Sequence, residues 1–149
     1  MAASSEAIDL TIVAARAASS GKATAIQAID VSSRMVLTDV FLIVSGSTSR
    51  HVRALVKDID DAVFKAGTKR LRQEGLTGDA RWVILDYGDL IVHAQVDEDR
   101  EFYALEKLWG DCPTIELPAD VTADPEYRTP SLMDYFTPQV NYSDGVETP

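Results

Sequence analysis

The stretch WVILDYGDLIVHAQ, Trp82–Gln95, decides the fold. Two apolar, β-branched runs flank Tyr87-Gly88-Asp89, and Gly88 can take the positive φ that a tight turn needs. The stretch therefore reads as a β-hairpin turning at Gly88-Asp89. That register sets Tyr87 opposite Leu90, Leu85 opposite Val92 and Ile84 opposite His93. Alternation sends Val83, Leu85, Tyr87, Leu90, Val92 and Ala94 to one face, a continuous core surface. The other face carries Trp82, Ile84, Asp86, Ile91, His93 and Gln95. It is too apolar for open water and too polar for a dry core. Another element covers it, or a partner does.

Working outward, Asp39–Ser45 is apolar on both faces, the pattern of a central strand. Gly46-Ser47-Thr48-Ser49 turns the chain into a helix. Val52, Leu55, Val56, Ile59, Val63 and Ala66 recur there at helical spacing, and Gly67 stops it. A short strand near Arg72–Glu74 completes a crossover, which implies some parallel pairing. Upstream, Ser4 or Ser5 caps a helix running to about Ala18, with Ile8, Ile12 and Ala15 on one face and Gly21 beyond its end. Ala23–Val31 reads as a strand. Downstream, Asp97 caps a third helix whose Phe102, Leu105 and Trp109 point inward before Gly110.

The chain of 149 residues has the length of one domain. Its formal net charge of −10 argues against a broad grip on nucleic-acid phosphates, DNA included, and suits a basic protein partner. One cysteine, Cys112, and two histidines, His51 and His93, exclude a disulfide and a thiolate metal cluster. No apolar run has membrane-spanning length. MAASSEAIDL has neither the apolar core of a secretion signal nor the Arg-rich character of a transit peptide, which points to a bacterial-type cytoplasm. All six prolines, seven of the 24 acidic residues and only one basic residue, Arg128, follow Cys112. This shift divides a domain, 1–112, from an acidic tail, 113–149, expected to be extended or disordered and dispensable for folding. Leu132, Met133, Tyr135 and Phe136 form an apolar island within it.

Three constellations invite chemistry. Gly46-Ser47, between a strand and a helix, could hold a phosphate on backbone amides and resembles the entry to a nucleotidyltransferase site. That chemistry needs clustered carboxylates for Mg²⁺, and Asp86 stands without an Asp-x-Asp partner. A tight turn with a Ser/Thr cap is the plainer reading. Asp86, Asp89 and His93 could form an acid/base group. No nucleophile accompanies them, Asp89 suits a turn, and a surface or interface role fits His93 better. Arg50, Arg53 and Lys57 line the exposed side of the second helix, and His51 sits nearby. They read as a solvated face, or as a local contact to RNA or a partner.

Thr38-Asp39-x-Phe41 and Ser45-Gly46-x-x-Ser49-Arg50-His51-Val52 form a first signature. Glu74-Gly75, Trp82–Asp89 and Val92-His93 form a second. Arg100-x-x-Tyr103-x-Leu105-Glu106-x-Leu108-Trp109 forms a third. In this order, over about residues 5–112, they resemble the ribosomal silencing factor family, also called RsfS or Iojap-like. Val40, Arg70–Gln73 and Gln95 depart from its usual pattern. The resemblance implies an α+β fold: a mixed five-stranded sheet flanked by helices, with nucleotidyltransferase-like topology. It implies a non-enzymatic repressor without cofactor that binds the fourteenth protein of the large ribosomal subunit. It also implies that small-subunit joining is blocked when nutrients are short, and that the free protein is a homodimer. The expected partner-binding residues are Trp82, Ile84, Asp86, Tyr87, Asp89, Ile91 and His93. A nucleotide-binding or nucleotidyltransferase-like enzyme is the alternative.

Overall fold

A computed structural model describes residues 2–128. Its elements are α1 (Ser5–Ser20), β1 (Ala25–Asp30), β2 (Val40–Gly46), α2 (Ser49–Lys65), β3 (Arg72–Glu74), β4 (Trp82–Asp86), β5 (Leu90–Val96), α3 (Asp97–Tyr103), α4 (Leu105–Leu108) and β6 (Thr114–Ile115). The strands form one mixed sheet in the order β3-β4-β5-β2-β1-β6. Six strands replace the expected five. The added one, β6, comes from the segment expected to be tail, and pairs antiparallel with β1.

Every residue of β2 is buried, as an apolar run covered on both faces requires. It pairs antiparallel with β1 and parallel with β5. The β4–β5 hairpin keeps the expected register, with Ile84 opposite His93 and Leu85 opposite Val92. Gly88 takes φ 89°, and the Tyr87 amide donates to the Leu90 carbonyl across the turn at 2.9 Å.

The larger core lies between the sheet and α1–α2. It joins Val40, Leu42, Val44, Leu85, Leu90 and Val92 to Val52, Leu55, Ile59 and Val63 of α2. α2 buries Val52, Leu55, Val56, Ile59 and Val63 as its periodicity named, but not Ala66, which is exposed at its C-cap; the Thr48 hydroxyl caps the other end by accepting from the His51 amide at 3.1 Å. α1 is capped by Ser4. Its buried residues are Ala7, Thr11, Ala14, Ala15 and Ala18, not Ile8 and Ile12, which are half-buried. Small side chains let α1 lie close on α2, and the Thr11 hydroxyl is satisfied by the Ala7 carbonyl at 2.7 Å.

The second core, on the opposite face, is smaller: Ile29, Val31, Phe41, Ile43, Leu105 and Cys112, with Trp82, Ile91 and Trp109 packed against it. The expected third helix is broken above it. Ala104 is left-handed (φ 48°, ψ 53°) and separates α3 from α4. Val96, not Asp97, occupies the N-cap of α3, and Phe102 does not point inward but is 80% exposed.

The packed unit does not end at Cys112. The Asp30 amide donates to the Pro113 carbonyl, and Leu117 and Val121 pack on the larger core. Asp120 pairs with Arg16 at 2.8 Å, Ser19 exchanges two hydrogen bonds with Thr122, and the Asp124 amide donates to the Ala23 carbonyl. The chain here is extended, but docked. The island Leu132–Phe136 lies outside the described residues.

Candidate partner-binding face

Strand alternation sets Phe41 and Ile43 of β2, Trp82, Ile84 and Asp86 of β4, and Ile91, His93 and Gln95 of β5 on one face of the sheet. Leu105, Trp109 and Cys112 close the part of this face near β1 and β2. The rest is half-covered. Its aromatic rings form a chain. Phe102 lies edge-on to Tyr103 at 4.9 Å, and Tyr103 lies 4.8 Å from Trp82. Trp82 lies 6.0 Å from the His93 ring. His93 meets Phe41 at 4.8 Å, and Phe41 meets Trp109 at 4.9 Å, both in T-shaped contact. The Arg34 guanidinium ends the series 4.2 Å above Trp109 and is held by Asp111 at 2.9 Å.

His93 is 7% exposed, and burial lowers its pKa to about 4. The Trp82 indole N–H donates to His93 Nδ1 at 3.2 Å. Among the described residues, His93 Nε2 and both amide atoms of the fully buried Gln95 have no hydrogen-bond partner. Beside His93 a cleft of about 190 Å³ opens between Phe41, Ile84, Ile91, Asp86, Arg72 and Glu74.

Trp82, Ile84, Asp86, Ile91 and His93 are thus brought together. Tyr87 and Asp89 are not. Tyr87 is buried on the opposite face, where its hydroxyl donates to Asp60 at 2.7 Å, and Asp60 is also paired with Arg70 at 2.6 Å. Burial and the Asp60 carboxylate raise the Tyr87 pKa far above its usual value. Asp89 sits on the turn and borders, with Tyr87, Glu6 and Leu10, a hollow against α1. Its carbonyl accepts from the Asp39 and Val40 amides. The side chain that braces the turn is that of Asp86, which accepts from the Gly88 amide at 2.8 Å and from Arg72 at 3.2 Å. Asp86 and His93 share a face, but each is occupied with a different neighbour.

The basic group on α2 does not converge either. His51 is buried; its Nδ1 accepts from the Ser47 amide at 3.0 Å, which leaves Nε2 to donate to the Gly21 carbonyl at 2.9 Å. Tyr127 packs on the ring at 4.7 Å. The histidine thus fills the mouth of the Gly46-Ser47 turn, the place a phosphate would need. Even a Cβ on Gly46 would meet the ring at 3.1 Å. Arg53 donates to the Leu76 carbonyl at 2.7 Å and to that of Gly78, tying down the loop between β3 and β4. Arg50 is on the exposed side of α2. Among the described residues, no group of three or more His, Cys, Asp or Glu could hold a metal ion.

Sequence reasoning missed Phe41, Tyr103 and Trp109 as members of the aromatic face. The available signal was strand parity in β2, which puts Phe41 on the side of its parallel neighbour Ile91.

Residues 4–135 match the family described as "Ribosomal silencing factor during starvation". A ribosomal silencing factor of Bacillus subtilis is 37% identical over 105 residues, covering 70% of this chain and 88% of the relative. A Mus musculus protein named for mitochondrial assembly of the ribosomal large subunit is 34% identical over 84 residues, covering 54% of this chain and 36% of its own. The crystal structure of a Chromobacterium violaceum protein superposes with a TM-score of 0.66 at 25% identity, covering 80% of this chain and 95% of that one. With most of its length matched and the hairpin signature in place, the chain belongs to the family of ribosomal silencing factors.

Proposed function

We propose that this protein binds the large ribosomal subunit through its fourteenth protein, using the Trp82 face, and blocks joining of the small subunit. Translation is thereby repressed when nutrients are short. The action is steric and takes place in the cytoplasm, without catalysis or cofactor. The strand–helix–strand frame, nucleotidyltransferase-like in its topology, serves as scaffold. The free protein is a homodimer, which keeps its apolar surface from water.

The observation that carries this reading is the aromatic chain from Phe102 through Tyr103 and Trp82 to His93. It is open to solvent at one end, where Phe102 is 80% exposed. Aromatic residues beside a cleft are the usual anchors of protein interfaces. The net charge of −10 suits a basic ribosomal protein.

Sedimentation of mixed subunits tests it. Wild-type protein is expected to keep large and small subunits apart. Trp82→Ala is expected to lose about 2 kcal/mol of binding, roughly thirtyfold in affinity. Trp82 is only half-buried, so urea melts should show a smaller loss of stability than the roughly 3–5 kcal/mol of a core tryptophan. Early unfolding of Trp82→Ala, or blocking at wild-type concentration, refutes the assignment. A monomer mass in light scattering at tens of micromolar refutes the dimer.

A further inference from the structure

We propose that the cleft beside His93 receives one neutral hydrogen-bond-accepting side chain of the partner protein, a hydroxyl or a carboxamide, with the Nε2–H of His93 as its donor. This rests on the reading of the Trp82 face as the docking face.

The chemistry of the occupant follows from the walls. An indole N–H only donates, so the Trp82 contact at 3.2 Å makes His93 Nδ1 the acceptor. The ring proton of the neutral imidazole is therefore on Nε2; this N–H is shut off from solvent and has no hydrogen-bond partner among the described residues, so the inserted side chain reaches it by parting the cleft walls. A buried donor left unpaired is costly, and a matching acceptor recovers that cost on binding. Burial depresses the basicity of the ring, so it stays neutral at ordinary pH and offers one donor.

Lysine and arginine bring only donors and cannot pair with Nε2–H. A carboxylate would face Glu74 and Asp86 on the rim, while Arg72 is already engaged by Asp86. A neutral acceptor remains. The apolar walls, Phe41, Ile84 and Ile91, suit the carbon part of such a side chain. About 190 Å³ accommodates one side chain and falls short of the several hundred Å³ of a nucleotide-sized pocket. The rim acids favour basic residues on either side of the inserted one, in keeping with the charge of the whole chain. The donor is also pre-positioned. Trp82 holds the imidazole by its Nδ1, and Phe41 packs edge-on against it at 4.8 Å.

The test is binding to purified large ribosomal subunits at neutral pH, with melting curves alongside. His93→Phe keeps an aromatic ring and removes the donor, together with the acceptor of the Trp82 N–H. It should still melt cooperatively and bind about tenfold more weakly. His93→Gln, which retains an amide donor, should recover most of that loss. Ile84→Phe, which fills the cleft and leaves the Trp82–His93 bond alone, should weaken binding at least as much as His93→Phe. Wild-type-like binding by His93→Phe overturns the proposal, and so does a loss that Gln does not recover. If His93→Phe does not fold, Ile84→Phe decides: full affinity there overturns the proposal. Weakened self-association with unchanged subunit binding puts a second copy in the cleft and overturns it too. Failure of the wild type to bind subunits overturns the docking reading itself, an outcome distinct from all of these.

Discussion

Trp82 and Tyr87 are five positions apart, an odd number, so a period of two sends them to opposite faces. Trp82 belongs to the half-open aromatic chain, and Tyr87 to the larger core with its hydroxyl on Asp60. Tyr87→Phe removes that bond but leaves Asp60 its pair with Arg70. The expected cost is about 1–2 kcal/mol in urea melts, with subunit binding unchanged. Loss of binding at full stability would return Tyr87 to the docking face. His93 gives a second test at this scale. Its folded pKa, about 4, lies below the ordinary 6.5, so between these values the unfolded chain holds more protons. Stability is then full above about pH 6.5 and falls as pH drops toward 4, by about 3 kcal/mol over the window. In His93→Phe this part of the slope should vanish when the two proteins' melts are compared across that range.

At the scale of elements, the break at Ala104 is the feature most open to substitution. An alanine at φ 48° carries strain that glycine does not. Ala104→Gly should therefore raise the urea midpoint, by about 0.5–1 kcal/mol in stability, although glycine in a regular helix does the reverse. A drop would mean that α3 and α4 prefer to be continuous. This break could not be read in the sequence, because alanine is the strongest helix former and nothing local marks the position. Leu105, buried in the second core, fixes where α4 must lie, and α3 starts where β5 ends. Phe102 is carried outward as a result. α2 and the hairpin were legible for the opposite reason. Thr48 and Gly67 bound a strong helical period, and Gly88 fixes a two-residue turn. The same parity separated Trp82, Ile84, Asp86, Ile91 and His93 from the core set. It could not show that Tyr103 and Trp109 return to that face, since their contacts with Trp82 and Phe41 span distant parts of the chain.

For the whole molecule, the decisive segment is 113–128. Its prolines and acids have the composition of a detached tail, while its contacts reach Arg16, Ser19, Ala23, Ala28 and His51, far back in the sequence. No local pattern reports such pairings. Truncation after residue 112 removes β6, the packing of Leu117 and Val121, and the Tyr127 contact on His51. The melting temperature should fall by at least about 5 °C, and an unshifted, cooperative melt would show that the segment adds nothing. A further consequence concerns crowding. Among the described residues the sheet ends on one side in β3, three residues that include Arg72 and Glu74. It ends on the other in β6, two residues lying between Pro113 and Pro118. Strands so short, charged or proline-flanked are poor templates for a foreign strand. Copies of this protein are therefore expected to associate through their faces rather than by extending one another's sheets. Without residues 113–128 the six residues of β1 would present a bare ladder of N–H and C=O groups. The truncated chain should then scatter light and seed fibres at concentrations where the full one stays clear.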